Sequence, residues 1–254
     1  MSELYEEALR NMASWFDVLS RQLSAPARVK LNGSYTFRFA EKNVHVAIIL
    51  KLARVITGLQ AIFHLNRLGL VQEQAAIQRV ADELTEDVSF LTFSVIFNDP
   101  TEVHSRFLEA FFQEEFEEGK TAIESTQKRL MIPRKKIHAY INKDRRAGDD
   151  PSCGREVSRT ISKIYSGYVH AAAPHIMELY FGNPPRFHLE GAWSSPLYKD
   201  HVDDMLNYFY RAILAVSFSA KAFGNEDLFQ AVFLYSKNFA KRSGGADHLT
   251  PYKT

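Results

Sequence analysis

The 254-residue chain, 46% hydrophobic and 24% charged, is ordinary for a globular protein and long enough to bury a sizeable core. Thirty-one basic residues against thirty acidic ones leave a net charge of +1, which argues against a general polyanion binder but leaves room for local patches. The single cysteine, Cys153, excludes an intramolecular disulfide and a thiolate zinc cluster.

The N-terminal Met-Ser-Glu-Leu-Tyr-Glu-Glu is acidic and lacks an apolar stretch, so no signal peptide is expected. Apolar runs such as Ala212 to Phe218, broken by Ser217, fall far short of a membrane span. The expectation is a cytoplasmic protein with no membrane association and no cofactor.

Apolar residues recur at helical spacing almost throughout. Leu4, Ala8, Met12, Trp15, Phe16 and Leu19 predict an amphipathic first helix ending before Pro26, and Asn32-Gly33-Ser34 predicts a polar loop. From about Thr36 to Leu68 the pattern predicts one long helix. Val44, Ile48, Leu52, Val55, Leu59 and Ile62 face inward, and Ile49, Ile56 and Phe63 widen the stripe, so this helix belongs at the centre of a bundle. Gly69 stands where a C-terminal cap belongs.

A second helix is predicted from about Val71 to Phe97, with Ile77, Val80, Leu84, Val88, Leu91 and Val95 along its apolar stripe. So short a break makes residues 36–97 an antiparallel hairpin and the core of the fold. Asp99-Pro100-Thr101-Glu102 predicts a fresh start with Asp99 as N-cap. That helix carries Phe107, Leu108, Phe111, Phe112 and Phe116 and stops at Gly119. A short helix is expected within 120–130, and another from Pro133 to about Ile141.

Residues 142–154 are polar, rich in turn formers and aperiodic, and form the best internal linker. Arg155 to His170 then sorts onto two faces of one helix. At 100° per residue, Arg159, Lys163, Ser166 and His170 fall within about 60° of each other, opposite Val157, Ile161, Ile164, Tyr165 and Tyr168. Pro174 crowds the carbonyl of His170, so the helix should kink or restart there. A proline-rich loop over 181–198 precedes a C-terminal helical pair within 199–240. The predicted architecture is all-α: a single-domain multi-helix bundle built on a long antiparallel helical hairpin.

Three sets of residues could carry chemistry. In the stripe ending at His170, Arg159 and Lys163 would neutralise a phosphate while His170 moves a proton; the alternative is a solvated helix face. Arg38 and His45, separated by six residues, stand about two turns apart on the predicted helix and could reach one phosphate. The basic stretch 128–146 offers Lys135, Lys136, Arg145 and Arg146 to a nucleic-acid backbone, though pairing with Glu114, Glu115, Glu117 and Glu118 is the favoured outcome.

Other leads fail. Gly119-Lys120-Thr121 lacks the rest of a phosphate loop, and His170 and His175 are misplaced for a helical metal pair. His201, Asp203 and Asp204 suit a helix N-terminus as well as a metal, so no metal site is assigned. Arg79 and Glu83 read as an intrahelical ion pair.

Leu52-Ala53-Arg54, Ile77-Gln78-Arg79-Val80-Ala81-Asp82-Glu83-Leu84 and Ile164-Tyr165-Ser166-Gly167-Tyr168-Val169-His170 together resemble a family of prokaryotic helical proteins related to the HEPN superfamily, over about residues 36–180. The resemblance implies a helical bundle, commonly dimeric, of the kind found in phage-defence and stress systems. Active members cleave RNA without a metal, using an Arg and a His separated by four to six residues near a helix start; many others are non-catalytic. This chain has Lys163 rather than arginine at that distance before His170. Two functions follow: binding or metal-independent cleavage of RNA, and a non-enzymatic module that dimerises or engages a protein partner.

Overall fold

The computed structural model describes residues 1–31, 34–117, 120, 123–128, 130–143 and 165–245. Helix α1 (Ser2–Ser20) is followed by a two-stranded antiparallel hairpin of β1 (Ala27–Leu31) and β2 (Ser34–Arg38). The central pair is α2 (Val44–Arg67) and α3 (Val71–Ile96). Then come α4 (Glu102–Phe112) and α5 (Arg134–Ile141). The one-turn α6 (Ala173–Ile176) leads into the small β3 (Tyr180–Phe181) and β4 (Arg186–Phe187). Helices α7 (Tyr198–Ala222) and α8 (Glu226–Arg242) close the described chain.

The protein is thus a helical bundle, with α2 against α3 and α7 against α8 as its most extensive pairings. Helix α2 buries Ile48, Leu52, Leu59 and Ile62 completely, and α1, α3 and α7 surround it. It is long and apolar enough to cross a membrane, but most of that stretch is enclosed by these neighbours. Phe209, Ile213 and Val216 of α7 and Phe239 of α8 complete the core.

Three expectations are corrected. The long helix begins at Val44, where Asn43 accepts a hydrogen bond from the Val46 amide at 3.0 Å, and not at Thr36. Residues 34–38 are a strand instead: Ser-Tyr-Thr-Phe alternates hydroxyl-bearing and aromatic side chains and pairs with Arg-Val-Lys-Leu across the hairpin. Helix α4 is capped by Thr101 and not Asp99. His104 Nδ1 accepts from the Thr101 amide at 3.0 Å, and its Nε2 donates to the Phe90 carbonyl at 3.1 Å. Stacked on Phe90 at 3.8 Å, His104 thereby ties α4 to α3. The expected helix within 120–130 is absent from the described residues there.

Gly69 does end α2, with a φ of +69°. Its Ala192-facing side is filled: the Ala192 amide donates to the Gly69 carbonyl at 2.8 Å, and an added Cβ would lie 2.9 Å from Trp193. The proline-rich loop is anchored on the α2–α3 turn through that contact. The helix does break and restart here: Ala171 lies in the left-handed region (φ 51°), and the new turn opens at Ala173 with Pro174 in its first positions.

Leu59 is wholly enclosed, so Leu59→Ala should cost about 2–5 kcal/mol in urea unfolding, whereas exposed Leu234→Ala should stay within about 0.5 kcal/mol. Equal effects would place the core elsewhere.

Candidate functional site

Helix α3 turns an unusual face inward. The expected apolar stripe included Val80, which is 37% exposed, while Gln74, Gln78, Asp82, Glu86 and Asp87 are buried. Leaving three carboxylates in a helical core is costly unless each is paired. Each finds a cation from a different helix. Lys51 of α2 donates to Asp87 Oδ2 at 2.7 Å, Arg134 of α5 forks across Glu86 and Asp87, and Arg211 of α7 binds Asp82.

Burial alone would make Arg134 easier to deprotonate, yet Asp87 and Glu86 outweigh it and raise its pKa. Arg211 behaves the same way beside Asp82. Docking of α5 is completed by buried Ile137 and by Tyr140, whose hydroxyl donates to the Asp99 carbonyl at 3.0 Å.

Between α3, α5 and α7 lies a cleft of about 230 Å³. Glu86 and Arg211 bring charge to its wall, His138, Ser89 and Asn142 add polar groups, and Leu214 and Phe218 form an apolar side. His138 Nε2 lies 2.9 Å from Glu86 Oε2. In the neutral imidazole with Nε2–H towards this carboxylate, Nδ1 carries the lone pair. Arg211 spends one guanidinium nitrogen on Asp82. The cleft therefore combines an oriented imidazole with a cation and could hold an anion beside a proton acceptor.

A second polar group continues the same face towards the N-terminus of α3. Gln74 donates to the His201 carbonyl at 2.8 Å. Glu178 accepts from Tyr168 at 2.9 Å and from Gln72 at 3.3 Å, and stands 3.4 Å from His201. Burial alone would raise Glu178, but the hydrogen bonds from His201 and Tyr168 prevail and hold its carboxyl below the ordinary range. Tyr165 donates to Asp204 at 2.6 Å. Its phenol is pushed up by burial and by neighbouring Tyr208 and Asp204.

Of the residues singled out in the sequence, Arg159 and Lys163 lie outside the described residues, as do Arg145 and Arg146. His170 is exposed just after the helical residues 165–169, and Tyr165 is buried. Gly167 marks close packing: a Cβ there would overlap the His175 ring.

Arg38 and His45 are not brought to a common site. Arg38, at the end of β2, makes a two-pronged bond to Glu114 at 2.7 and 2.9 Å, and that bond holds the Glu114 carboxyl below its ordinary range. His45 sits in the first turn of α2 with Nε2 at 3.2 Å from the Ala222 carbonyl. Lys135 and Lys136 are exposed on α5. Among the described residues of the basic stretch, the ion pairs run to other acids than expected, Arg134 to Glu86 and Asp87 and Lys143 to Asp99. Arg79 and Glu83 do form the intrahelical pair, at 2.6 Å.

His201, Asp203 and Asp204 diverge: His201 meets Glu178, Asp203 meets Lys199, and Asp204 meets Tyr165. Among the described residues no group of His, Cys, Asp and Glu could hold a metal. His138 and Glu86 were missed because buried polar residues at four-residue spacing carry no hydrophobic periodicity. The readable trace was Gln74, Gln78, Asp82 and Glu86, one polar row along α3. No protein-family profile, curated protein or solved structure matches the chain.

Two outcomes follow. Arg134→Ala should cost about 2–3 kcal/mol, below the figure for a fully buried pair because Lys51 and His138 still face the acids; unchanged urea stability would refute the network. A carboxyl with a depressed folded pKa contributes stability above its unfolded pKa and loses it as pH falls through the folded value. Glu178→Gln should therefore flatten the decline in thermal stability below about pH 4.5, and parallel wild-type and variant curves would contradict this.

Proposed function

We propose that the protein is an RNA-binding helical protein of prokaryotic defence or stress response, and that its cleft between α3, α5 and α7 carries metal-independent phosphodiester cleavage. The observation behind this is the pairing of His138 Nε2 with Glu86 Oε2 at 2.9 Å on a cleft wall shared with Arg211. The resemblance to HEPN-related proteins supplies the reaction class. Arg134 opens α5 and His138 stands in its last turn, separated by three residues, one short of the family's spacing.

In this mechanism the imidazole takes the proton of a ribose 2′-hydroxyl, and the 2′-oxygen attacks the adjacent phosphorus. Arg211 stabilises the charge that develops on the phosphoryl oxygens. The P–O5′ bond breaks, and the departing 5′-oxygen takes the proton back from the imidazolium, leaving a 2′,3′-cyclic phosphate and a 5′-hydroxyl. Glu86 holds the ring and stabilises its protonated form.

A cleavage assay on unstructured RNA with EDTA present tests this reading. His138→Ala should lower kcat/KM by about 10²–10⁴-fold, and Glu86→Gln by less. His170→Ala in the same assay tests the stripe: loss there with His138→Ala unaffected would move the site to His170.

The alternative, a non-enzymatic interaction or dimerisation module, draws support from Leu68, Leu189 and Trp193, which are 55%, 77% and 52% exposed. Tyr208, Phe209 and Tyr210 of α7 do not add to it, since they are buried. Light scattering that returns a dimer, dissociated by Trp193→Ser, together with no cleavage, would favour this reading.

A further inference from the structure

The β1–β2 hairpin presents one largely open face, with Phe37 at the edge of a cleft that Phe111 and Phe112 also line. In the antiparallel register Arg28 stands opposite Phe37 and Lys30 opposite Tyr35, and directly opposed residues share a face. That face therefore carries two cations on one strand and two aromatic rings on the other. Tyr35 is 50% exposed and Phe37 55% exposed, and the hairpin packs only marginally on the rest of the molecule. Among the described residues neither Arg28 nor Lys30 has a carboxylate partner, whereas Arg38, on the opposite face, is held by Glu114.

Arg28 lies over the Tyr35 ring at 3.7 Å, and Phe37 meets the same ring edge-on at 5.8 Å. The rings are thus ordered although open to solvent. Large aromatic side chains at the surface usually gain by being covered, and here uncompensated positive charge lies alongside them.

We infer that this face of the hairpin is a binding platform for single-stranded nucleic acid. Tyr35 and Phe37 stand at alternate strand positions with ring centroids 5.8 Å apart and planes nearly perpendicular, so each offers a face of its own to one of two splayed bases. Arg28 and Lys30 flank them where the sugar–phosphate strand would run. A duplex hides its base faces and could use only the cations. An acidic peptide would pair with the cations and leave the rings idle. The platform is separate from the cleft and stands whether or not the cleft cleaves.

The experiment is fluorescence anisotropy of the full chain with a labelled, unstructured 12-nucleotide RNA, its perfect duplex, and phosphatidylserine vesicles as a comparison. Tyr35→Ala/Phe37→Ala should weaken single-strand binding by about tenfold or more, the loss of at least one stacked base. Arg28→Ala/Lys30→Ala should reduce the slope of log K against log salt by about 1.4, the value for two phosphates on a single strand.

Circular dichroism should show both variants folded. His138→Ala should bind RNA as the wild type does, so failure at the cleft and failure at the hairpin read out separately. The inference is overturned if the wild type does not bind the single strand, or if both hairpin variants keep wild-type affinity and slope. Equal affinity for duplex would overturn it too, as would hairpin-dependent binding confined to vesicles.

Discussion

Asp82, Glu86 and Asp87, each at most 7% exposed on one helix, set the main constraint on this fold. Apolar packing tells a helix which stripe to bury but tolerates rotation and sliding of its neighbours. A buried carboxylate does not, because its charge must be met at hydrogen-bond distance. Lys51, Arg134 and Arg211 meet that demand from α2, α5 and α7. The carboxylates of α3 thus fix its three neighbours in register. Short α5, with only Ile137 and Tyr140 buried, depends on this most.

The cleft is a consequence of the same arrangement. Arg134 and His138 lie one turn apart on α5 and both reach Glu86, so the bond that docks the helix also orients the imidazole. Arg211 is held against Asp82 from the other side. Structural ion pairs and a reactive site can share residues in this way, because pairing removes the freedom that a catalytic group must lose. Gln78, buried with both side-chain polar atoms unpartnered among the described residues, belongs to the same inward polar row.

Much of the helical framework was legible from periodicity. The α2–α3 hairpin, the glycine cap between its helices, the C-terminal pair and the restart at Pro174 all depend on local pattern and backbone sterics. The β-hairpin was misread because Val44 onward is strongly helical and the short alternating stretch before it was absorbed into the same element, despite Asn32-Gly33 beside it. The site was harder to see for a different reason. Glu86 and Asp87 look like solvated helix charges until Lys51 and Arg134, far away in sequence, are known to lie against them. Reading α3 by hydrophobicity alone turned Val80 inward, where the folded chain turns Gln78 and Asp82.

The central claim is that buried charge pairing, more than apolar fit, fixes α3 against its neighbours, and the Asp82–Arg211 pair tests it most directly. In a double-mutant cycle read by urea unfolding, Asp82→Asn and Arg211→Met should each be strongly destabilising, about 3 kcal/mol or more, because each strands the other partner. The double variant should be at least as stable as either single variant, a coupling energy of about 3 kcal/mol or larger. Additive effects, with the double variant as unstable as the sum of the singles, would contradict the account.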